Sequence, residues 1–219
     1  MPELAQSRIA GELQQGIAQM GIALGEEAQE KLQSYLTLLH KWNRTYNLTA
    51  IRDPQQMVSH HLLDSLAVLP HLWEGRWLDV GCGAGLPGLV LAVAKPEWQF
   101  TLLDSSSKKI GFVRQAVIEL DIQNVSVYCE RLEEWRTTEK FDGIISRAFS
   151  ELGKFLRSSS KFLAPDGRWV AMKGIPLQEG VMLPEGCKLE RVVPLRIPGL
   201  SAARSLVIVS CSPSQPLNI

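Results

Sequence analysis

The sequence predicts an α/β fold: a mostly parallel, doubly wound sheet of seven strands, with a helical extension before it and an antiparallel hairpin at its end. Three observations carry that expectation. The stretch from Arg76 to Asp104 reads strand, glycine turn, helix, strand, acid, which is the nucleoside-binding half of such a fold. Short apolar runs then alternate with helix-like segments, as parallel strands joined by crossovers must. The last two runs, Leu189–Leu195 and Ser205–Cys211, have no helix between them, so they pair as a hairpin.

In chain order, residues 3–20 place Leu4, Ile9, Leu13, Ile17 and Met20 at roughly helical spacing, and Gly21 and Gly25 interrupt. Glu26 to Trp42 is a stronger helix, with Leu32, Tyr35, Leu36, Leu39 and Trp42 on one stripe. Asn43 to Thr49 is turn-rich. Asp53-Pro54 has the form of an N-cap followed by proline at the first helical position, opening a helix over Gln55–Leu69 that bears His60, His61 and Asp64. Residues 1–72 therefore read as a helical extension packed on a domain of residues 73–211, with a tail at 212–219.

Trp77-Leu78-Asp79-Val80 is too short for a helix and suits a buried parallel strand. Gly81, Gly83 and Gly85 follow at alternate positions, letting backbone turn sharply and lie bare against a ligand. Pro87 begins a helix whose stripe is Leu86, Leu89, Val90 and Val93. Pro96 stops it, and Phe100–Leu103 leads to Asp104. Ser105 to Ser107 are placed to cap a helix over Lys108–Leu120. Asn124–Cys129 is the third strand, ending at Arg131-Leu132-Glu133-Glu134-Trp135. Phe141–Ile145 is the fourth, delivering Ser146-Arg147-Ala148-Phe149 to the same edge. A helix over Glu151–Leu163, a turn at Pro165-Asp166-Gly167 and a strand over Arg168–Met172 complete the unit.

The acids indicate the ligand. A carboxylate closing the second strand, as Asp104 does, can accept both ribose hydroxyls of an adenosine moiety. The G-x-G-x-x-G match at Gly83–Gly88 is weak alone. Asp79 inside the first strand says more, because an acid beside the loop suits a cationic or zwitterionic ligand and repels pyrophosphate. S-adenosylmethionine, with its sulfonium and amino-acid end, fits better than NAD. An NAD oxidoreductase stays as a third-ranked alternative.

Totals exclude other classes. With 219 residues and 45% apolar content, the chain can build one full core. No basic segment precedes a long apolar run and no stretch reaches spanning length, so neither a signal peptide nor a membrane is expected. Cys82, Cys129, Cys187 and Cys211 lie far apart in sequence without a C-x-x-C pair, which argues against a metal site or disulfide framework and for a reducing cytoplasm. Net charge is zero, but residues 1–75 carry −3 and residues 76–219 carry +3. The basic residues between Ser146 and Lys173 are suggestive of RNA and equally consistent with a solvated face. His60, His61 and Asp64 read as packing or capping groups ahead of a base or metal site. Arg147, closing an apolar strand, needs a partner: a ligand carboxylate or RNA.

Read together, Trp42-Asn43, Asn47 to Ile51 (NLTAI), His61 to Leu66 (HLLDSL), Asp79 to Gly88 (DVGCGAGLPG), Leu103 to Lys109 (LDSSSKK), Ser146 to Phe149 (SRAF) and Ala171 to Gly174 (AMKG) form a specific set. By them the chain resembles the glucose-inhibited division protein B family, bacterial small-subunit ribosomal RNA guanine-N7 methyltransferases. Cys82 stands where that family commonly has serine or threonine. The resemblance implies a Rossmann-like class I S-adenosylmethionine-dependent methyltransferase, with cofactor contacts at Gly81, Gly83, Leu86, Leu132, Glu133 and Arg147. Leu86 and Leu132 would sandwich adenine and Asp104 would hold the ribose. It also implies small-subunit ribosomal RNA as partner, within an assembling or complete subunit, and a monomer. Guanine N7 has a free in-plane lone pair, so no general base is needed and catalysis is positioning. Arg147 and Lys173 are the candidates for orienting the base. Neither an Asn/Asp-Pro-Pro-aromatic motif nor a Pro-Cys nucleophile stands after the fourth strand, which argues against amino or pyrimidine-carbon methylation. The RNA surface would draw on Arg44, Lys108, Lys109, Arg147, Lys154, Lys173, Arg196 and Arg204. The alternatives are a methyltransferase for protein or a small molecule, and a non-enzymatic ribosome-assembly RNA-binding module.

Overall fold

The structure, a computed structural model, describes residues 3–147, 149, 151–174 and 183–211. Two helices, α1 (Glu3–Gln19) and α2 (Glu26–Tyr46), open the chain. A helical run follows, composed of α3 (Pro54–Met57), a π-helical stretch Val58–Leu63 and α4 (Asp64–Leu66). The sheet contains β1 (Arg76–Val80), β2 (Gln99–Asp104), β3 (Val125–Cys129), β4 (Phe141–Ser146), β5 (Leu163–Lys173), β6 (Cys187–Leu195) and β7 (Arg204–Cys211). Helices α5 (Gly88–Ala94), α6 (Ser107–Glu119) and α7 (Leu152–Ser159) connect its parallel strands. The Leu4 side chain, Ala148 of the SRAF run and the tail expected at 212–219 lie outside the described residues.

Strand order is β3-β2-β1-β4-β5-β7-β6, with β1 to β5 parallel and β7 antiparallel to both β5 and β6. This is the mostly parallel seven-stranded sheet with a terminal hairpin that the sequence predicts. The order reverses between β1 and β4, so a crevice opens at their carboxyl ends, where ligands of such sheets bind.

The central strands β1, β2, β4 and β7 are buried on both faces, which explains their near-continuous apolar runs, while the edge strands β3 and β6 are largely exposed. Trp77, Leu102, Ile145, Val170 and Ile208 point into the core shared with α1, α2 and α5, while Leu78, Leu103, Ile144, Trp169 and Val207 enter a second core under α7. That alternation is the period-2 pleat. Trp77 needs Gly143 opposite it on β4, since a Cβ there would strike the indole ring. Leu32, Leu36 and Leu39 of α2 are fully buried, each contributing about 1.5–3 kcal/mol. Tyr35 and Trp42 of the same stripe pack on Phe112 of α6, with ring centroids 5.9 and 5.8 Å apart. Asn124 donates to the carbonyls of Ala92, Lys95 and Trp98, tying the end of α5 to the entrance of β2.

Several elements depart from expectation. Helix α2 continues through the turn-rich stretch to Tyr46, because Asn43 is buried and satisfied: it donates to the Ile51 carbonyl and accepts from the Thr49 N–H. Asn47 ends the helix in the left-handed conformation, φ 50°. Asp53 caps α3 as predicted, accepting from the Gln55 N–H at 3.1 Å. The serines before α6 make no side-chain cap; Asp104 accepts the Ser106 N–H instead. Pro165-Asp166-Gly167 does not separate two elements. Those residues lie within β5 as an irregularity where the ladder passes from Phe141↔Leu163 to Gly143↔Arg168.

Candidate functional site

Gly81 and Gly83, with φ of 72° and 58°, turn the chain at the end of β1. Both adjoining amides, Gly81 N–H and Cys82 N–H, are tied to the Leu103 carbonyl of β2. A Cβ at Gly83 would meet open space, so the loop leaves room on its outer side. Asp104 organises it: one carboxylate oxygen accepts the Gly83 N–H at 2.9 Å, the other the Ser106 N–H at 2.8 Å. A carboxylate has about four lone-pair positions, so two amides leave capacity for ribose hydroxyls.

Beside this loop lies a cavity of about 170 Å³. Its wall includes Val80 at the end of β1 and Gly81 just after it, Leu103 and Asp104 from β2, Glu130 to Glu133 beyond β3, and Phe149 beyond β4. Four of the residues predicted from sequence therefore meet here: Gly81, Asp104, Leu132 and Glu133. Gly83 joins them through Asp104. Leu86 does not line the cavity; it is 2% exposed and its amide donates to the Cys82 carbonyl, so its place is inside the loop. Phe149, Glu130 and Arg131 are additional wall residues that the sequence reading did not single out as binding residues.

Asp79 sits under the loop, fully buried, and accepts the Gly88 N–H at 2.8 Å. Its other oxygen has no hydrogen-bond partner among the described residues. Burial pushes its pKa up to about 7, against the pull of the Gly88 hydrogen bond. The loop is also gripped from outside: the Tyr35 hydroxyl of α2 donates to the Ala84 carbonyl at 2.7 Å. Ser146 at the end of β4 donates to the Val80 carbonyl, joining the two strands on either side of the crevice.

Arg147 lies outside the cavity wall. Its guanidinium is 3.3 Å from Asp64 and donates to the His60 carbonyl at 3.2 Å. Arg204 of β7 meets the other Asp64 oxygen at 3.1 Å. Asp64 is thus a buried anion shared by two arginines, joining the helical extension to the sheet edge. Arg147 uses one guanidinium nitrogen for both contacts and its side chain is 30% exposed. His61 is also buried and hydrogen-bonded, with Nε2 2.9 Å from the Thr49 hydroxyl. Burial, with the charge of Arg147, lowers its pKa to about 4. Among the described residues, no three His, Cys, Asp or Glu are grouped to hold a metal ion. Lys173, at the end of β5, donates to the Phe149 carbonyl at 2.6 Å, and partial burial lowers its pKa.

The site's polar groups fit S-adenosylmethionine better than a dinucleotide. Asp104, Glu130 and Glu133 face one cation, Arg131, around the cavity, with Asp79 behind it. That surplus of acid favours a cationic ligand and disfavours pyrophosphate.

The rRNA small subunit methyltransferase G family model, GidB, matches residues 28–207. The chain is 52% identical over 198 residues to ribosomal RNA small subunit methyltransferase G of Chromobacterium violaceum, spanning 90% of this chain and 95% of that protein. Its counterpart in Pseudomonas aeruginosa is 46% identical over 205 residues, spanning 93% and 96%. Among solved structures, a SAM-dependent methyltransferase from Aquifex aeolicus shares the fold with a TM-score of 0.55 at 19% identity, over 72% of this chain and 93% of that one. TrmN from Thermus thermophilus does so with a TM-score of 0.55 at 19% identity, over 77% and 53%. With the class I methyltransferase sheet, the acid-lined cavity at its switch point and these likenesses, the chain belongs to the GidB family of rRNA small subunit methyltransferases.

Proposed function

We propose that the chain transfers a methyl group from S-adenosyl-L-methionine to N7 of a guanine in small-subunit ribosomal RNA. Membership of the GidB family over residues 28–207 carries this reading. The position N7 comes from the resemblance carried by the NLTAI, HLLDSL, DVGCGAGLPG and SRAF runs. Asp104 accepts the ribose hydroxyls, the bare backbone of Gly81 and Gly83 borders the methionine end, and Leu132 with Phe149 flanks the adenine. Glu133 and its neighbouring acids supply negative potential toward the sulfonium. Leu86 keeps the loop in shape. When bound, the cofactor supplies an electrophilic methyl group, and the protein supplies alignment.

Arg147 and Lys173 act as positioning residues. Asp64 fixes the first, and the Phe149 carbonyl anchors the second at the cavity rim. Arg44, Lys108, Lys154 and Arg196 are exposed cations, and Lys109 and Arg204 are partly exposed ones, all suited to phosphate contacts. A chain of zero net charge needs a shaped target, so its substrate is folded ribosomal RNA in an assembling or complete subunit. The chain acts there as a monomer, in the cytoplasm. Its working unit is a helical extension of residues 1–72 set on a methyltransferase domain of residues 73–211. No helix among the described residues is long and apolar enough to cross a membrane.

The test is incubation with methyl-labelled S-adenosylmethionine and small ribosomal subunits from cells lacking the protein. Label in RNA, absent from ribosomal protein, is the expected result. Label only in protein or a small molecule would replace this substrate assignment.

A further inference from the structure

Cys187 and Cys211 are separated by most of the terminal hairpin, yet they are directly opposed Cα partners at its open end, Cys187 on β6 and Cys211 on β7. Opposed residues of an antiparallel pair have Cα atoms about 4.5–5.5 Å apart. A disulfide spans about 4.4–6.8 Å between Cα atoms, so the backbone already has the required spacing. Both residues carry free thiols, and both are partly exposed. The two side chains also meet. The Cys187 thiol is pushed up to about 12 by burial and by its hydrogen bond to Cys211. Cys187 is thereby held in its thiol form, which leaves Cys211 to make the first attack.

We propose that Cys187 and Cys211 are a modification site, oxidised reversibly to an intramolecular cross-strand disulfide by a low-molecular-weight disulfide such as oxidised glutathione. The Cys211 thiolate attacks one sulfur of the reagent, forming a mixed disulfide and releasing one glutathione thiolate. Cys187 loses its proton to water and attacks the Cys211 sulfur, expelling the second glutathione thiolate. Both released thiolates take up protons, so one reagent disulfide is reduced to two thiols while the protein's two thiols become one disulfide. The bond staples the amino-edge end of the hairpin. At its other end, the Leu195↔Arg204 pair delivers Arg204 to Asp64. Cys82, 1% exposed, and Cys129, on the far edge strand β3, have no such partner position and serve as internal references.

The experiment treats the native full chain with oxidised glutathione, blocks remaining thiols with an alkylating reagent and maps each cysteine by peptide mass. The expected product is a Cys187–Cys211 linked peptide that dithiothreitol dissolves, with Cys82 alkylated only after unfolding. Cys187→Ser should leave Cys211 as a glutathione adduct, and the oxidised wild type should melt several degrees above the reduced form. Two results would overturn the proposal: Cys187 and Cys211 both recovered as alkylated thiols or separate glutathione adducts, or a linked peptide that forms only in denaturant.

Discussion

Replacing Asp64 with alanine removes the anion between Arg147 and Arg204. Its contacts are 3.3 and 3.1 Å, and its side chain is 2% exposed, whereas the arginines are 30% and 24% exposed. At an effective dielectric near 20, each contact is worth about 5 kcal/mol before the desolvation of the carboxylate is counted. Breaking a fully buried pair costs about 3–5 kcal/mol because a charge is left uncompensated. Here water still reaches part of each guanidinium, so the expected loss is about 2–4 kcal/mol. For a chain of this size that lowers Tm by about 5–15 °C. Urea unfolding of Asp64→Ala, Arg204→Met and the double variant measures it, with a coupling of about 1–3 kcal/mol expected between the two positions. A loss below about 1 kcal/mol for Asp64→Ala, with additive effects in the double variant, would refute the view that this triad clamps the helices to the sheet.

Other consequences follow from the same geometry. Asp104→Ala should weaken S-adenosylmethionine binding by about 1–3 kcal/mol in calorimetry, and unchanged affinity would remove Asp104 from the ribose site. His61 titrates at about 4 when folded against an ordinary value of 6.5, so the stability it contributes is present above pH 6.5 and is lost as pH falls toward 4. Unfolding free energies at pH 7 and pH 5 should show that loss, about 3 kcal/mol at most over the whole interval, and His61→Gln should flatten it. Gly143→Ala forces a methyl group into the Trp77 ring and should cost about 1–3 kcal/mol; a neutral effect would mean the strand pair yields easily. Changing Lys108 and Lys109 to glutamine should reduce the salt dependence of RNA binding, and an unaltered slope would place the RNA on another face.

The strand–glycine–helix–strand unit was legible because both faces of its strands are buried, which leaves uninterrupted apolar runs and a glycine turn in plain view. Asp104 is legible as an acid closing the second strand, and the structure adds that it holds the Gly83 and Ser106 amides beside the cavity. The sequence also suggested Ser105–Ser107 as helix caps, but it could not show that Asp104 takes the Ser106 amide itself. Asp64 looked like a packing group, and its real role depends on arginines 83 and 140 residues away. The π-helical turn beneath His61 escapes a reading based on a period of 3.6. Tyr35 was visible on the apolar stripe of α2, yet nothing local shows that its hydroxyl ends on the glycine loop. Phe149 follows Arg147 two residues on in the SRAF run, and only the sheet order brings it beside Leu132.

The central claim, methylation of a guanine at N7, is tested most directly by the chemistry of the product. Small ribosomal subunits methylated by this chain are reduced with borohydride and treated with aniline, which cleaves RNA at N7-methylguanine. A cleavage that requires both the chain and S-adenosylmethionine, at one guanine of the small-subunit RNA, is the predicted result. Methyl label in that RNA with no aniline-sensitive position would contradict the N7 assignment while leaving the methyltransferase fold and its cofactor in place.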